Sequence, residues 1–339
     1  MARDQRIPRS SARSTLSVDE YFAGISASDV AVVARSLTLM ESSNPEHGLL
    51  AEELLTRIMP HIGGAIRVGI TGAPGAGKST FIESLGLQLV GAGHRIAVLA
   101  IDPSSDLTGG SILGDKTRMP RLAAEPNAYI RPSPASGTLG GAARRTRESL
   151  LVCEAAGFDV VLIETVGVGQ SESLVVHTTD CLLALMLPHA GDELQGIKRG
   201  LLELVDFVVV NKSDGPLQDA CQIAARQFRS ALDSQSLRDS DAQAEVFTCS
   251  ALQNEGVDTV WHAIKNRCET LASTGALAER RRRQNLHWLW EIVEGRAKEL
   301  LHSHSKVDAI RADVEREVQA GNISAEAAAR RILKAVGLM

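Results

Sequence analysis

Residues 72–79, Gly72-Ala73-Pro74-Gly75-Ala76-Gly77-Lys78-Ser79, match the pattern G-x-x-x-x-G-K-[ST]. Each residue type has a chemical reason. The glycines let successive backbone N–H groups turn toward a polyphosphate, and a helix beginning where the run ends adds its positive N-terminus. Lys78 is placed to reach the β- and γ-phosphates, and the Ser79 hydroxyl, followed by Thr80, to complete a Mg²⁺ shell. The apolar run Ile66-Arg67-Val68-Gly69-Ile70-Thr71 before it and Thr80-Phe81-Ile82-Glu83-Ser84-Leu85 after it supply the strand–loop–helix context that the pattern requires. A nucleoside triphosphate is the expected ligand.

A second group bears on the base. The apolar segment Phe207–Val210 ends in Asn211-Lys212-Ser213-Asp214. A carboxylate at Asp214 accepts from a guanine N1–H and its exocyclic amine together, a donor pair that adenine lacks, so the wrong base would leave a polar group unpaired. Asn211 would brace the loop and the Lys212 stem would cover the base. Ser250-Ala251-Leu252, after the next apolar segment, has the form of a loop whose backbone N–H meets guanine O6. Together these favour GTP over ATP.

Acidic residues follow two other apolar segments. Asp102, in Ile101-Asp102-Pro103-Ser104-Ser105, and Glu164, after Val160–Ile163, are candidates to approach a cation beside Ser79, with Asp115 in the glycine-rich stretch 108–118 as a third. The length of the Glu164 side chain favours contact through water. In Glu164-Thr165-Val166-Gly167-Val168-Gly169-Gln170, the Gly167 N–H can detect a γ-phosphate, which makes the segment a switch. No glutamine directly follows Gly167; Gln170 lies further on, so slow intrinsic hydrolysis is expected.

The elements that position these groups read as alternating strands and helices. Strands are predicted at Ile66–Thr71, Ile96–Ile101, Ala128–Arg131, Val160–Glu164, Cys181–Leu187, Phe207–Val210 and Val246–Cys249. Several are apolar throughout, as strands covered on both faces are, and their spacing implies βαβ units. The fold class is α/β, a mainly parallel sheet flanked by helices, with ligands at the carboxyl ends of the strands. The division reads as a disordered tail over 1–14, an N-terminal helical extension over 15–62, a phosphate-loop domain over 63–273 and a C-terminal helical region over 274–339. In the extension, Ser17 and Glu20 form a candidate capping box, Val30 to Met40 continue at helical spacing, and a second helix runs from about Gly48 to Met59. In the C-terminal region, Leu286, Leu289, Trp290, Val293, Ala297, Leu300 and Leu301 form an apolar stripe, with a break at Gly321-Asn322. Packing onto the same chain is the default for such a stripe, and joining two subunits is the favoured alternative.

The bulk numbers exclude several classes. The chain has 339 residues, 44% hydrophobic and 23% charged, with a formal charge of −5. That balance gives no reason to expect nucleic acid. Five dispersed cysteines form no C-x-x-C pair, which speaks against a disulfide framework or a cysteine metal site. No apolar stretch reaches the roughly 18 residues that a membrane helix needs. Arg3, Arg6, Arg9 and Arg13 faintly resemble a transit peptide, but Asp4 and the lack of an apolar face favour a simple tail. A cytoplasmic protein is expected.

Taken together, G-A-P-G-A-G-K-S-T, D-P-S-S, T-G-G-S-I-L-G-D-K-T-R-M, R-P-S-P-A-S-G-T-L-G-G, E-T-V-G-V-G-Q-S-E and G-D-E-L-Q-G-I-K resemble the MeaB/ArgK/MMAA GTPases over about residues 15–339. These are G-protein chaperones of adenosylcobalamin-dependent methylmalonyl-CoA mutase. The resemblance implies a GTPase working with GTP/GDP and Mg²⁺, and a homodimer joined partly through the C-terminal region. It also implies an acyl-CoA mutase as client, to which the adenosylcobalamin belongs, with loading and reactivation of that cofactor gated by nucleotide. By the same resemblance, the segment 187–198 matches a further switch with Asp192, Gln195 and Lys198 as its working residues. Lys198 is a candidate for the charge that aids hydrolysis beside Lys78, Glu164 and Gly167. Two rivals are a GTPase inserting nickel or another metal into an enzyme, and a kinase acting on a transport protein. The first usually carries Cys/His clusters, and the second has no evident acceptor site here.

Overall fold

A computed structural model describes residues 15–42, 44–102, 118–134, 139–165, 175–188, 199–236 and 244–339. The chain divides into two compact units, Met1–Thr274 and Gly275–Met339.

The first unit opens with three helices, α1 (Val18–Ser26), α2 (Val30–Met40) and α3 (Pro45–Ile58). The capping box forms as expected: Ser17 Oγ accepts from Glu20 N, and Glu20 Oε2 accepts from Ser17 N at 2.8 Å. The sequence pattern suggested fewer helices here. Ser28 in the left-handed region (φ 58°) and Asp29 capping a new helix split α1 from α2. Asn44 as cap and Pro45 in the first turn start α3 before Gly48.

Seven strands then build one parallel sheet: β1 (Ile66–Gly72), β2 (Ile96–Asp102), β3 (Ala128–Pro134), β4 (Val160–Thr165), β5 (Cys181–Met186), β6 (Phe207–Val210) and β7 (Glu245–Thr248). All seven lie at their predicted places, with ends shifted by up to a few residues, most at β3, which runs on to Pro134. Their order is β3-β2-β4-β1-β5-β6-β7. β1 is central, with Val68 opposite both Leu162 of β4 and Cys181 of β5. From β1 the chain first builds one side of the sheet and then, from β5 onward, the other. The reversal leaves a crevice at the carboxyl end of β1, where α/β sheets take ligands.

Period-two alternation divides the strands between two cores. Val68, Ile70, Leu162, Leu183 and Leu185 join Phe81, Ile82, Leu85 and Leu89 of α4 (Lys78–Gly91). Val161, Ile163, Leu182 and Ala184 join Leu150 and Cys153 of α5 (Leu139–Ala155), together with Tyr21, Ile25, Leu37 and Leu54 of the N-terminal helices. Helix α6 (Gln218–Ser236) adds Cys221, Ala225 and Phe228 to this second core. Helix α7 (Val257–Ser273) adds Val260, Trp261 and Ile264 to the first. Arg67 grips Glu154 of α5 through two bonds of 2.9 and 2.8 Å in the interior, tying the start of β1 to that helix.

The second unit contains α8 (Ala276–His302), α9 (Ser305–Gln319) and α10 (Ala325–Ala335). The break between α8 and α9, where the His304 ring accepts from Lys306 N, carries no glycine or proline and so left no mark in the sequence pattern. The expected break at Gly321-Asn322 is present, with Gly321 at φ 71° and Ser324 capping α10. Leu286, Leu289, Trp290, Val293 and Leu300 of α8 are all exposed. Among the described residues, no helix is long and apolar enough to cross a membrane.

Candidate functional site

The phosphate loop fills the turn from β1 to α4, and two glycines show why side chains are excluded from it. At Gly72 (φ 140°) a Cβ would lie 2.1 Å from the Leu185 carbonyl oxygen of the neighbouring strand. At Gly77 (φ 91°) it would lie 2.6 Å from Asn211 Nδ2. Gly77 also serves as N-cap of α4 without a side-chain bond, which leaves first-turn amides for a ligand. The loop borders a cleft of about 580 Å³ lined by Pro74, Gly75, Gly77, Lys78, Ser79 and Thr80, with Ala100 and Ile101 of β2, Glu164 and Thr165 of β4, and Arg118.

Within the cleft the polar groups are already engaged with one another. Lys78 Nζ donates to the carbonyls of Gly72 (2.8 Å) and Ala73 (3.2 Å). Burial pushes its pKa down, the Glu164 carboxylate partly offsets this, and Arg118 adds to the lowering. Ser79 Oγ donates to Glu164 Oε1 at 3.1 Å. A hydroxyl and a carboxylate, 85 positions apart in sequence, thus converge at the mouth of the loop and present the hard oxygen donors that suit Mg²⁺.

The base-side motifs form a second hydrogen-bonded group, with Asn211 as its hub. This buried side chain donates from Nδ2 to the Ala76 carbonyl (2.8 Å) and accepts at Oδ1 from Ala251 N (3.0 Å). One amide therefore holds both the phosphate loop and the Ser250–Leu252 loop. The Cys249 thiol also points to Asn211 Oδ1, at 3.5 Å, and the Cys221 thiol to its carbonyl, also at 3.5 Å. Asp214 Oδ1 accepts from Ser250 Oγ at 3.0 Å, and Ser250 Oγ accepts from Gln253 N at 3.1 Å. Lys212 is exposed with φ 65°, and the Leu252 side chain is exposed.

The structure therefore brings together Gly72 to Thr80, Glu164, Asn211, Asp214, Ser250 and Ala251. The backbone of Asp102 ends β2, but its side chain lies outside the described residues, as do Asp115, Gly167, Asp192, Gln195 and Lys198. Arg118 was missed as a lining residue. Its only sequence signal was a basic side chain closing the glycine-rich stretch 108–118.

Comparison with known proteins bears on the same residues. A model of the methylmalonyl-CoA mutase-associated GTPase MeaB matches residues 33–306. The chain belongs to the MeaB family. GTPase ArgK of Escherichia coli is 49% identical over 264 residues, spanning 78% of this chain and 80% of that protein. A mitochondrial methylmalonic aciduria type A homolog of Mus musculus is 42% identical over 328 residues, 94% of this chain and 79% of that one. A crystal structure described as a LAO/AO transport system kinase superposes with a TM-score of 0.75 at 37% identity, covering 94% of this chain and 97% of that one. The fold is that of a phosphate-loop GTPase, and this member of the MeaB family is a GTPase that binds guanine nucleotide.

Proposed function

We propose that this GTPase acts as a chaperone for an adenosylcobalamin-dependent acyl-CoA mutase, such as methylmalonyl-CoA mutase, gating the loading, protection and reactivation of the mutase's cofactor. The observation that carries the reading is Asn211, one side chain joining the phosphate loop to the base-side loop, in a chain whose family is associated by name with that mutase.

In this reading the residues divide the work. Asp214 takes the guanine N1–H and amine, Ala251 N meets O6, and the Lys212 stem lies over the base. Lys78 exchanges its two carbonyl partners for phosphate oxygens, whose negative charge adds to that of Glu164 in favouring its buried ammonium. Ser79 and Glu164, with Asp102 and Asp115, hold Mg²⁺, which when bound neutralises charge developing on the phosphates. Gly167 senses the γ-phosphate, and Asp192, Gln195 and Lys198 transmit nucleotide state to the client. Hydrolysis is slow in the free chain because no glutamine directly follows Gly167, and it rises when the client reshapes the switches. The exposed stripe Leu286–Leu300 on α8 supports a homodimer, since a row of large apolar side chains favours being covered.

Incubating the purified chain with GTP or ATP, alone and with methylmalonyl-, isobutyryl- or hydroxyisobutyryl-CoA mutase, tests the reading. GTP hydrolysis should rise about tenfold or more with the cognate mutase. No response to any mutase would remove the client. Transfer of phosphate to another protein would favour a transport-system kinase, the activity named for the superposed structure.

A further inference from the structure

The loop that carries Ala251 has an unusual support. Ala251 and Val257 are buried at its two ends, but Leu252, Gln253, Asn254 and Glu255 between them are all exposed, so no apolar packing fixes the tip. The loop closes on itself through a two-bond bridge between Ser250 and Glu255, and Gly256 (φ 72°) turns it into α7. At the tip, Asn254 occupies the left-handed region (φ 60°), a conformation that asparagine tolerates better than most residues. Its Oδ1 accepts from Ser84 Oγ and from Gln88 Nε2, both at 2.6 Å. Ser84 and Gln88 lie one turn apart on the same face of α4, the helix whose first residues are Lys78 and Ser79.

We propose that Asn254 is a positioning residue for base recognition, a latch that fastens the guanine-facing loop to the phosphate-binding helix. This inference rests on the proposed reading of Asp214 and Ala251 as the base site. Asn211 joins the two loops from the interior, at Ala76 and Ala251. Asn254 joins the base-side loop to the phosphate-binding helix from the outside, three residues beyond Ala251 along the loop and, at Ser84, five residues beyond Ser79 along the helix. Two attachments on opposite sides hold the Ala251 amide at one distance and one tilt from the phosphate loop. A single attachment leaves a hinge. A purine fixed by its phosphates tolerates little rotation of the amide that meets O6, so the outer latch sharpens guanine discrimination while leaving phosphate binding alone.

Calorimetric titration with GDP and with ADP tests this on the full chain carrying Ser84→Ala/Gln88→Ala, Asn254→Gly or Asn254→Asp. None of these side chains belongs to the proposed nucleotide contacts, and alanine suits a helix surface. Loss of the latch should weaken GDP about five- to tenfold and leave ADP unchanged, the scale expected for two solvent-facing hydrogen bonds. Combining Asn254→Gly with the helix variants should add nothing further, because both remove the same contact. Asn254→Asp keeps the acceptor and should bind GDP like the parent chain. Equal weakening of GDP and ADP, no weakening at all, or a loss in Asn254→Asp matching that in Asn254→Gly would each overturn the latch. A parent chain that does not prefer GDP to ADP would instead overturn the base site, and the latch with it.

Discussion

The phosphate side and the base side of the site are built from separate loops joined through Asn211, yet they hold their polar groups in different ways. On the phosphate side, Lys78 is bonded to Gly72 and Ala73, and Ser79 to Glu164. In the proposed reading these are the groups that a polyphosphate and its cation engage, so binding would exchange partners. On the base side, Asn211 is spent on Ala76 and Ala251, contacts that a ligand has no need to break. The first region stores its donors and acceptors in provisional bonds, and the second is preorganised. The contrast teaches where each substitution should be felt: phosphate-side changes should alter charge and catalysis, base-side changes selectivity.

The largest effect is expected at Lys78. Lys78→Ala should lower kcat/KM for GTP by roughly a thousandfold, read in a phosphate-release assay, because it removes the charge that the proposed reading sets against the transferred phosphoryl group. Asp214→Asn should come next. It should weaken GTP on the order of a hundredfold and improve binding of xanthosine triphosphate, whose carbonyl suits an amide donor, in a competition assay. If ATP gained instead, the preorganised base side would not be reading the purine edge. Glu164→Gln should raise the Mg²⁺ concentration for half-maximal hydrolysis about tenfold while leaving metal-free GDP affinity near that of the parent chain. A large loss of metal-free GDP binding would show that the carboxylate holds the loop in shape.

The smallest effect concerns pH. Burial holds the Lys78 pKa below its ordinary value of 10.5. Phosphate binding favours the charged ammonium, so the complex takes up a proton and GDP affinity falls as pH rises through the depressed value. The slope should vanish in Lys78→Arg, since a guanidinium does not titrate in that range. A base-side variant such as Asp214→Asn should keep it, which would separate the two regions by titration.

Much of this was legible in the linear chain, and the limit has a physical cause. Lys78, Ser79, Asn211 and Asp214 declare themselves because each sits in a short run whose spacing is set by one turn of backbone. The strands declare themselves because both faces are buried, which demands apolar residues at every position, as in Val160–Ile163. The helix breaks at Ser28 and His304 did not, since neither carries a glycine or proline and each depends on a local cap. Arg118 and Asn254 were missed because the residues they lie beside are remote in sequence: Arg118 lines a cleft with Lys78 and Glu164, and Asn254 meets Ser84 across 170 positions.

The sequence by itself determined the chemistry available at the ends of β1 and β6, because a phosphate loop and an N-K-x-D run are local patterns of backbone freedom and side-chain type. Only the tertiary structure decided how those patterns face each other. It set β4 between β1 and β2 so that Glu164 meets Ser79, and it turned Asn211 inward to hold two loops at once. Parallel pairing needs a crossover between neighbours, so which strands become adjacent depends on the helices that cover the sheet and not on any residue within the strands.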